Sequence, residues 1–338
     1  MNRQWIYAVR PDGPASVDNF EYRETTIPEP GDGQALGRLC YLSFEPAMRT
    51  WMEDFITYMP PVPLGTPMLG PGVSQVVVSN TPALNEGDLV SGMMSWQDYQ
   101  VVGEQARLVP PDTPIPVMLG PMGGTGLTAY IGLLDIGRPQ PGDTVLTSGA
   151  AGATGSVAAQ IARIKGCRSV GIAGGGDKCR WLLEEARLDA AIDYKNENVA
   201  GRLAELCPDG VDVYFDNVGG DLLETIMGHM NQGGRLAVCG AISTYNQGLR
   251  RPGPANMFEI IEKRLTLQGF VMFDHMDRVP EATRDLGQWV AGGEIAFRTD
   301  IQQGFDNIPA TFLRLFSGAN QGKQLLKVRD VDQTLTGQ

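Results

Sequence analysis

The stretch Thr144-Val145-Leu146-Thr147-Ser148-Gly149-Ala150-Ala151-Gly152-Ala153-Thr154-Gly155 decides the fold. Thr144–Thr147 reads as a strand, because β-branched and apolar residues suit a buried pleated segment. Val157, Ile161 and Ile164 fall at helical spacing, which predicts a helix over Ser156–Lys165 with Gly166 as its stop signal. Between strand and helix lies the pattern G-x-G-x-x-G with Ala150 in the first glycine slot. Gly152 would let the backbone approach a pyrophosphate, and Gly155 would let helix and strand pack closely. The helix N-terminus, with free N–H groups and the positive end of its dipole, suits an anion there. Alone the motif is weak, since Gly-Ala turns also join strands to helices for purely steric reasons.

Its context makes it strong. Strand Ser169–Ala173 precedes helix Lys178–Arg187, and strand Ala190–Asp193 precedes helix Ala200–Leu206. Strand Val211–Asp216 precedes helix Leu222–Met230, and strands Arg235–Cys239 and Leu265–Val271 complete a set of six. Strands separated by helices imply βαβ crossovers, and six in this rhythm imply a doubly wound parallel sheet of the Rossmann kind, an α/β class. Before Asp143 the texture differs. Short β-prone runs, Gln34–Leu42, Val73–Val78 and Asp88–Gly92, are broken by Pro60–Pro63 and Leu69–Gly72. After Thr299 the segment Lys323–Val328 is again β-prone, as if the chain returned to its first domain. The expected division is therefore 1–122 with 300–338 as a β-rich substrate domain, and 123–299 as a nucleotide-binding domain inserted into it.

Bulk properties narrow the function. The 338 residues carry 27 Lys and Arg against 39 Asp and Glu, a net charge of −12, which disfavours nucleic acid or an anionic membrane as partner. An anionic cofactor must then be held by a local feature. Met1-Asn2-Arg3-Gln4-Trp5 lacks the apolar segment of a secretory signal, and no run of about 18 apolar residues offers a membrane span. The five scattered cysteines read as reduced thiols, and a cytoplasmic protein fits best.

The second strand, Ser169–Ala173, should end beside an adenosine ribose, where an NAD-selective site places Asp or Glu. The chain has Gly174-Gly175-Gly176-Asp177-Lys178 instead. Three glycines give room, and Lys178 supplies a point charge suited to a 2′-phosphate, so NADPH is the expected cofactor. Asp177 stands against this reading, because it could bind the ribose hydroxyls of NAD.

Several segments then resemble one family. Gly149–Gln160, Gly171–Cys179, Asp193-Tyr194-Lys195, Tyr214-Phe215-Asp216-Asn217-Val218-Gly219-Gly220 and Cys239-Gly240-Ala241-Ile242-Ser243-Thr244-Tyr245-Asn246 are similar to a branch of the medium-chain dehydrogenase/reductases. It is the zinc-independent leukotriene dehydrogenase/prostaglandin reductase branch, with the curcumin reductases and plant double-bond reductases. Gly126-Leu127-Thr128-Ala129-Tyr130 and Gly318-Ala319-Asn320-Gln321-Gly322-Lys323 extend the likeness over essentially the whole chain. The resemblance implies a GroES-like first domain, a Rossmann domain, a cleft between them and a homodimer. It implies NADPH contacts at Gly152, Ala153, Thr154, Gly155, Lys178, Tyr194 and Asn217. It implies further contacts at Cys239, Gly240, Ala241, Ile242, Ser243, Thr244, Tyr245, Phe270, Val271, Met272 and Asn320. Ligands of such sheets sit beyond the C-terminal strand ends, which independently favours Asn217 and Tyr245. Asn217 also fits a turn former, Tyr194 a cover for a strand edge, and Cys239 a buried packing thiol.

The chemistry follows from what is missing as well as what is present. His229, placed by the sequence in a helix before the fifth strand, and His275, in a loop after the sixth, are the only histidines, and no C-x-x-C occurs, so the ligands of a zinc site are absent. Where zinc relatives place Gly-His-Glu the chain reads Met68-Leu69-Gly70-Pro71-Gly72. No G-x-S-x-G elbow supports a hydrolase. Hydride chemistry on a nicotinamide remains, and the expected activity is reduction of the carbon–carbon double bond of α,β-unsaturated ketones and aldehydes, by hydride transfer to the β-carbon. Tyr245 is the expected catalytic donor to the enolate oxygen, directly or through the nicotinamide ribose. Relatives carry Asp-Pro-Tyr-Met-Arg where this chain has Glu45-Pro46-Ala47-Met48-Arg49, so Ala47 replaces a pocket tyrosine. Trp51, Met52, Phe55, Tyr58, Met59 and Met68 suggest an apolar substrate, or equally a domain core. A quinone reductase or zinc-free alcohol/carbonyl oxidoreductase is the alternative, and an NADPH-binding protein without catalysis the remoter one.

Overall fold

The computed structural model describes residues 1–103, 106–246 and 253–335. The chain divides into two compact units, Met1–Leu119 with Thr299–Gln338, and Gly120–Arg298.

The first unit opens with an antiparallel ribbon of β1 (Asn2–Tyr7) and β2 (Phe20–Thr25). Then come β3 (Ala35–Ser43), β4 (Leu69–Ser79), β5 (Leu89–Ser95), β6 (Tyr99–Val102) and β7 (Arg107–Leu108), followed by the one-turn helix α1 (Ile115–Met118). Their pairings are all antiparallel, β3 to β4 and β6, and β5 to β4 and β7. Between β3 and β4 the chain makes a 3-10 helix over Pro46–Met52, with proline at its first position where no N–H is needed.

The second unit begins with α2 (Gly124–Ile131), which runs into a π-helical turn over Gly132–Gly137. The alternation follows: β8 (Thr144–Ser148), α3 (Ala153–Ile164), β9 (Arg168–Ala173), α4 (Gly176–Glu184), β10 (Ala190–Asp193) and α5 (Val199–Leu206). It continues with β11 (Val211–Asp216), α6 (Gly220–Met227), β12 (Met230–Val238), α7 (Ile242–Tyr245), α8 (Phe258–Lys263), β13 (Thr266–Gly269) and α9 (Val279–Ala291). The six strands are parallel in the order β10-β9-β8-β11-β12-β13, the doubly wound Rossmann arrangement that the strand–helix rhythm predicts. The chain then leaves for the first unit as β14 (Thr299–Gln303), α10 (Ile308–Ser317) and β15 (Lys323–Lys327). β15 lies antiparallel to β3 with Leu326 opposite Leu42, and β14 lies parallel outside it.

Several boundaries differ from the sequence reading. Leu69–Gly72, read as a break, is the start of β4 and pairs with β5, and β13 is shorter at both ends than Leu265–Val271. Three further differences have a plain local reason. Helix α3 starts at Ala153, three residues before Ser156, because Gly152 is already its N-cap. The helix predicted to reach Met230 stops at Met227, and Met230 pairs with Val211 as the first residue of β12. His229 thus sits in the turn after α6, its N–H on Ile226 O, and not in a helix. Helix α4 ends at Glu184, before Arg187 turns into the left-handed region at φ 58°.

Each unit has its own core. In the first, Trp96 is fully buried among Phe20, Phe44 and Phe312, with ring centroids 5.0, 5.8 and 5.9 Å away. In the second, the two faces of the sheet are covered separately. Val145, Val213 and Phe215 meet α2, α3 and α9 on one side, while Leu146, Val170 and Tyr214 meet α5 and α6 on the other. Gln160, fully buried in α3, locks its amide to the main chain of Ala296, donating to its O and accepting from its N–H, both at 2.8 Å.

Candidate cofactor site

Strand β8 ends at Ser148, and the main chain turns sharply through Gly149 to enter α3. Gly152 N donates to Gly149 O at 2.8 Å and closes the turn. A Cβ at Gly155 would stand 2.4 Å from Gly149 O, so no other residue fits there without moving the loop. No side chain caps α3, and the first-turn N–H groups of Ala153, Thr154 and Gly155 have no carbonyl within the helix to bond. The result is a cradle of backbone donors at a helix dipole, the arrangement a pyrophosphate requires.

The end of β9 is built in the same economy. A Cβ at Gly174 would fall 2.8 Å from the Tyr194 ring, so the ring lies directly over the glycine backbone while remaining half exposed. Asp193, at the end of β10, ties the two turns together. Its Oδ1 accepts from Gly175 N at 2.7 Å and Lys195 N at 3.1 Å, and its Oδ2 from Asn196 Nδ2 at 2.7 Å. The Asn196 bond and then the Gly175 N–H hold its carboxyl below the usual range. Asp177, the residue that argued for NAD, is mostly exposed and stands 3.1 Å from Arg180 in a solvent-screened ion pair. Lys178 stands beside it in the first turn of α4.

Beyond β11 and β12 two loops interlock. Asp216 O accepts from Cys239 N and Gly240 N at 2.8 and 3.0 Å, Asn217 O from Ile242 N, and Val218 O from Ser243 N and Oγ. Asn217 Nδ2 donates to Ser148 O at 2.7 Å, linking this pair of loops back to the end of β8. Tyr245 closes the one-turn helix α7, and its phenol oxygen accepts from Ala241 N at 3.2 Å. Burial pushes that phenol up from its ordinary value, so it stays protonated across the neutral range and keeps a proton to donate.

The residues expected at the cofactor thus divide by position. Gly152, Ala153, Thr154, Gly155, Lys178, Tyr194, Asn217, Cys239, Gly240, Ala241, Ile242, Ser243, Thr244 and Tyr245 all lie at the C-terminal strand ends of one sheet. Phe270, Val271 and Met272 follow β13, but the Phe270 ring packs on Phe215 (centroids 6.3 Å) and over Gly132, where a Cβ would stand 2.1 Å from it. Its side chain is a core group, which leaves the main chain of this segment on the rim. Asn320 belongs to the first unit, where its Nδ2 donates to Gly322 O at 2.9 Å. Sequence reasoning passed over Ser148 and Asp216 as site-building residues. Polar side chains at the C-terminal ends of two adjacent central strands were the available signal.

In the first unit, the turn after β3 is organised by buried charge. Arg49 is 1% exposed; it donates to Glu53 Oε1 at 2.6 Å and to Gly13 O at 2.9 Å. Lys323 of β15, equally hidden, meets Glu45 at 3.3 Å, and burial lowers its ammonium from the ordinary value. Trp51, Met52 and Met68 are core residues, whereas Phe55 and Tyr58 are exposed, so the aromatic set expected to frame a substrate is split. Trp51 Nε1 donates to the Tyr58 hydroxyl at 3.2 Å, and Ala47 stands partly exposed on the same turn. Among the described residues no group of three or more His, Cys, Asp or Glu could hold a metal ion, and no helix is long and apolar enough to cross a membrane.

Two family profiles match the chain, one described as the N-terminal domain of oxidoreductase over residues 3–109 and one as zinc-binding dehydrogenase over 153–290. The NADPH-dependent curcumin reductase of Escherichia coli (strain K12) is 40% identical over 338 residues, covering 98% of each chain. Prostaglandin reductase 1 of Bos taurus is 38% identical over 333 residues, covering 96% of this chain and 98% of its own. The crystal structure of CurA in complex with NADPH from Vibrio vulnificus superposes with a TM-score of 0.93 at 39% identity, covering 97% of this chain and 99% of that one. The chain belongs to the zinc-independent prostaglandin reductase/curcumin reductase branch of the medium-chain dehydrogenase/reductase superfamily.

Proposed function

We propose that this protein reduces the carbon–carbon double bond of α,β-unsaturated ketones and aldehydes with NADPH. It is an NADP-dependent oxidoreductase, and the observation that carries the finer reading is Tyr245, a half-buried, protonated phenol in the loop beyond β12. Bound NADPH supplies the hydride. The uncapped first turn of α3 would hold the pyrophosphate, and Lys178 with the Gly174–Gly176 turn would take the 2′-phosphate. Asn217, held on Ser148, would fix the nicotinamide end. Tyr245 would donate a hydrogen bond, directly or through the ribose hydroxyl, to the carbonyl oxygen on which negative charge grows after attack at the β-carbon. Water or the same phenol would protonate the α-carbon. Residues 1–122 with 300–338 act as the substrate domain and 123–299 as the NADPH domain. Ala47, in place of the larger phenol of relatives, favours bulky apolar enones.

The test follows absorbance at 340 nm with NADPH and a panel of one-ring and two-ring aromatic enones. Oxidation of NADPH with a saturated ketone as product supports the reading, and turnover of quinones alone would refute it in favour of a quinone reductase. Tight NADPH binding with no turnover of any acceptor would favour a non-catalytic role. A cytoplasmic homodimer is the form we expect. It is supported by the open edge of β13 with Phe258, Ile261 and Phe273 exposed near it in the chain. A monomeric mass by light scattering at working concentration would overturn that part.

A further inference from the structure

Asp216 ends the central strand β11 fully buried, and among the described residues it forms no ion pair. Four donors converge on one of its oxygens: Tyr214 Oη at 2.7 Å, Val218 N at 2.9 Å, and Ser148 Oγ and Gly219 N at 3.0 Å. Its other oxygen, Oδ2, is buried and accepts nothing among the described residues. A carboxyl group so fully buried is costly to desolvate, and here the cost is offset by the four donors gathered on one oxygen.

The donors have two origins. Tyr214 comes from the sheet interior and is fully buried in the core. Val218, Gly219 and Ser148 come from the rim, and Ser148 Oγ in turn accepts from Asn217 N at 2.9 Å. Three consecutive N–H groups, those of Asn217, Val218 and Gly219, are thereby directed inward. The Asn217 side chain is left pinned by its Nδ2 to Ser148 O. Because the carbonyls of residues 216–218 carry the N–H groups of Cys239, Gly240, Ile242 and Ser243, the second loop takes its position from the first.

We propose that Asp216 is a positioning residue for the cofactor, a buried acceptor that sets Asn217 and the Cys239–Tyr245 loop for NADPH. This rests on the reading that the rim holds NADPH. Removing the acceptor frees Val218 and Gly219 to bond elsewhere, and the turn that presents Asn217 loses its fixed orientation. The Tyr214 hydroxyl reaches the same oxygen from the sheet interior and meets the Ser148 side chain there. Its removal leaves the Asp216 acceptor and the Val218 and Gly219 N–H groups in place, so it separates positioning from mere stability.

The test compares Asp216→Asn, Ser148→Ala and Tyr214→Phe by NADPH fluorescence titration and by thermal unfolding without cofactor. Ser148→Ala and Asp216→Asn are expected to weaken NADPH binding by about tenfold, the scale of one buried hydrogen bond. Tyr214→Phe is expected to lower Tm while leaving the NADPH dissociation constant within about twofold, since the Asp216 acceptor, the Ser148 hydroxyl and the rim N–H groups all remain. Wild-type affinity in both rim variants, whatever their Tm, overturns the proposal, as does a loss in Tyr214→Phe equal to theirs. Should Asp216→Asn fail to fold, Ser148→Ala against Tyr214→Phe decides by the same criterion. Absence of NADPH binding by the wild-type protein would instead overturn the cofactor reading beneath it.

Discussion

The rim of the second unit and the turn after β3 in the first both hold side chains at a strand end, by opposite means. At the rim the work is done largely by main chain: glycine cradles, helix N–H groups and interlocked loops, with a few short polar side chains inside. At the turn it is done by long buried charges, Arg49 on Glu53 and Lys323 on Glu45. A site built from backbone leaves its outward side chains free to answer to a ligand. One built from buried ion pairs is intolerant of change at the pairs and permissive at the residues between them, which is where Ala47 lies.

Four experiments break or sharpen this contrast. Tyr245→Phe at the rim should lower kcat by about 100-fold, the low end for a proton-donating group, with NADPH affinity unchanged by fluorescence titration. An unchanged kcat would remove the phenol from the reaction. Arg49→Leu in the turn should cost about 3 kcal/mol, because it strips the partner from a carboxylate that is only 20% exposed. Its signature is a fall in Tm with wild-type NADPH affinity, and a neutral substitution would mean the turn is not charge-built. Lys178→Ala should raise the KM for NADPH about tenfold and leave that for NADH alone, since only the former carries the 2′-phosphate. Equal changes for both cofactors would contradict the assignment.

The smallest effect concerns Asp193. Its carboxyl sits below 3.8 in the folded protein through Asn196 Nδ2 and Gly175 N–H. The ionised form is therefore favoured by folding: the contribution is present above pH 3.8 and lost as pH falls through the lower folded value. Melting curves of wild type and Asp193→Asn should differ by a constant amount at higher pH and converge below that point. Parallel curves down to pH 2 would show that the carboxylate does not support the Gly174–Gly176 turn.

The same contrast explains what could be read in advance. Strand–helix alternation, the glycine spacing from Gly149 to Gly155 and the run of three glycines before Lys178 are local patterns, and local patterns state the Rossmann sheet and its phosphate cradle directly. The six-stranded, doubly wound parallel sheet is as the alternation implied. Asp216 was visible as a letter in a motif, but its four donors come from residues 148 to 219, and no spacing rule reveals such convergence. The turn was less legible still. Lys323 and Glu45 are 278 residues apart, and the split of Trp51 into the core and Tyr58 into solvent depends on packing that periodicity does not encode. Asp177 shows the converse: its letter suggested NAD, yet it stands exposed beside Arg180, and the relatives matched over the whole chain use NADPH.

The return of β15 to β3 has a consequence for how the chain is made. β3 can pair with β4 and β6 once they have emerged from the ribosome, but its contacts with β15 must wait until residues 120–298 have been synthesised. At roughly 5–20 residues per second that interval is on the order of ten seconds or more. Throughout it, the hydrophobic cluster that Phe305, Phe312 and Leu326 complete stays open on one side. The nucleotide-binding unit is contiguous and can close within its own span. The nascent chain would then carry a finished cofactor domain tethered to an unfinished one. Demand for chaperones during synthesis should accordingly track substitutions in the aromatic core of the first unit more than any in the phosphate loop.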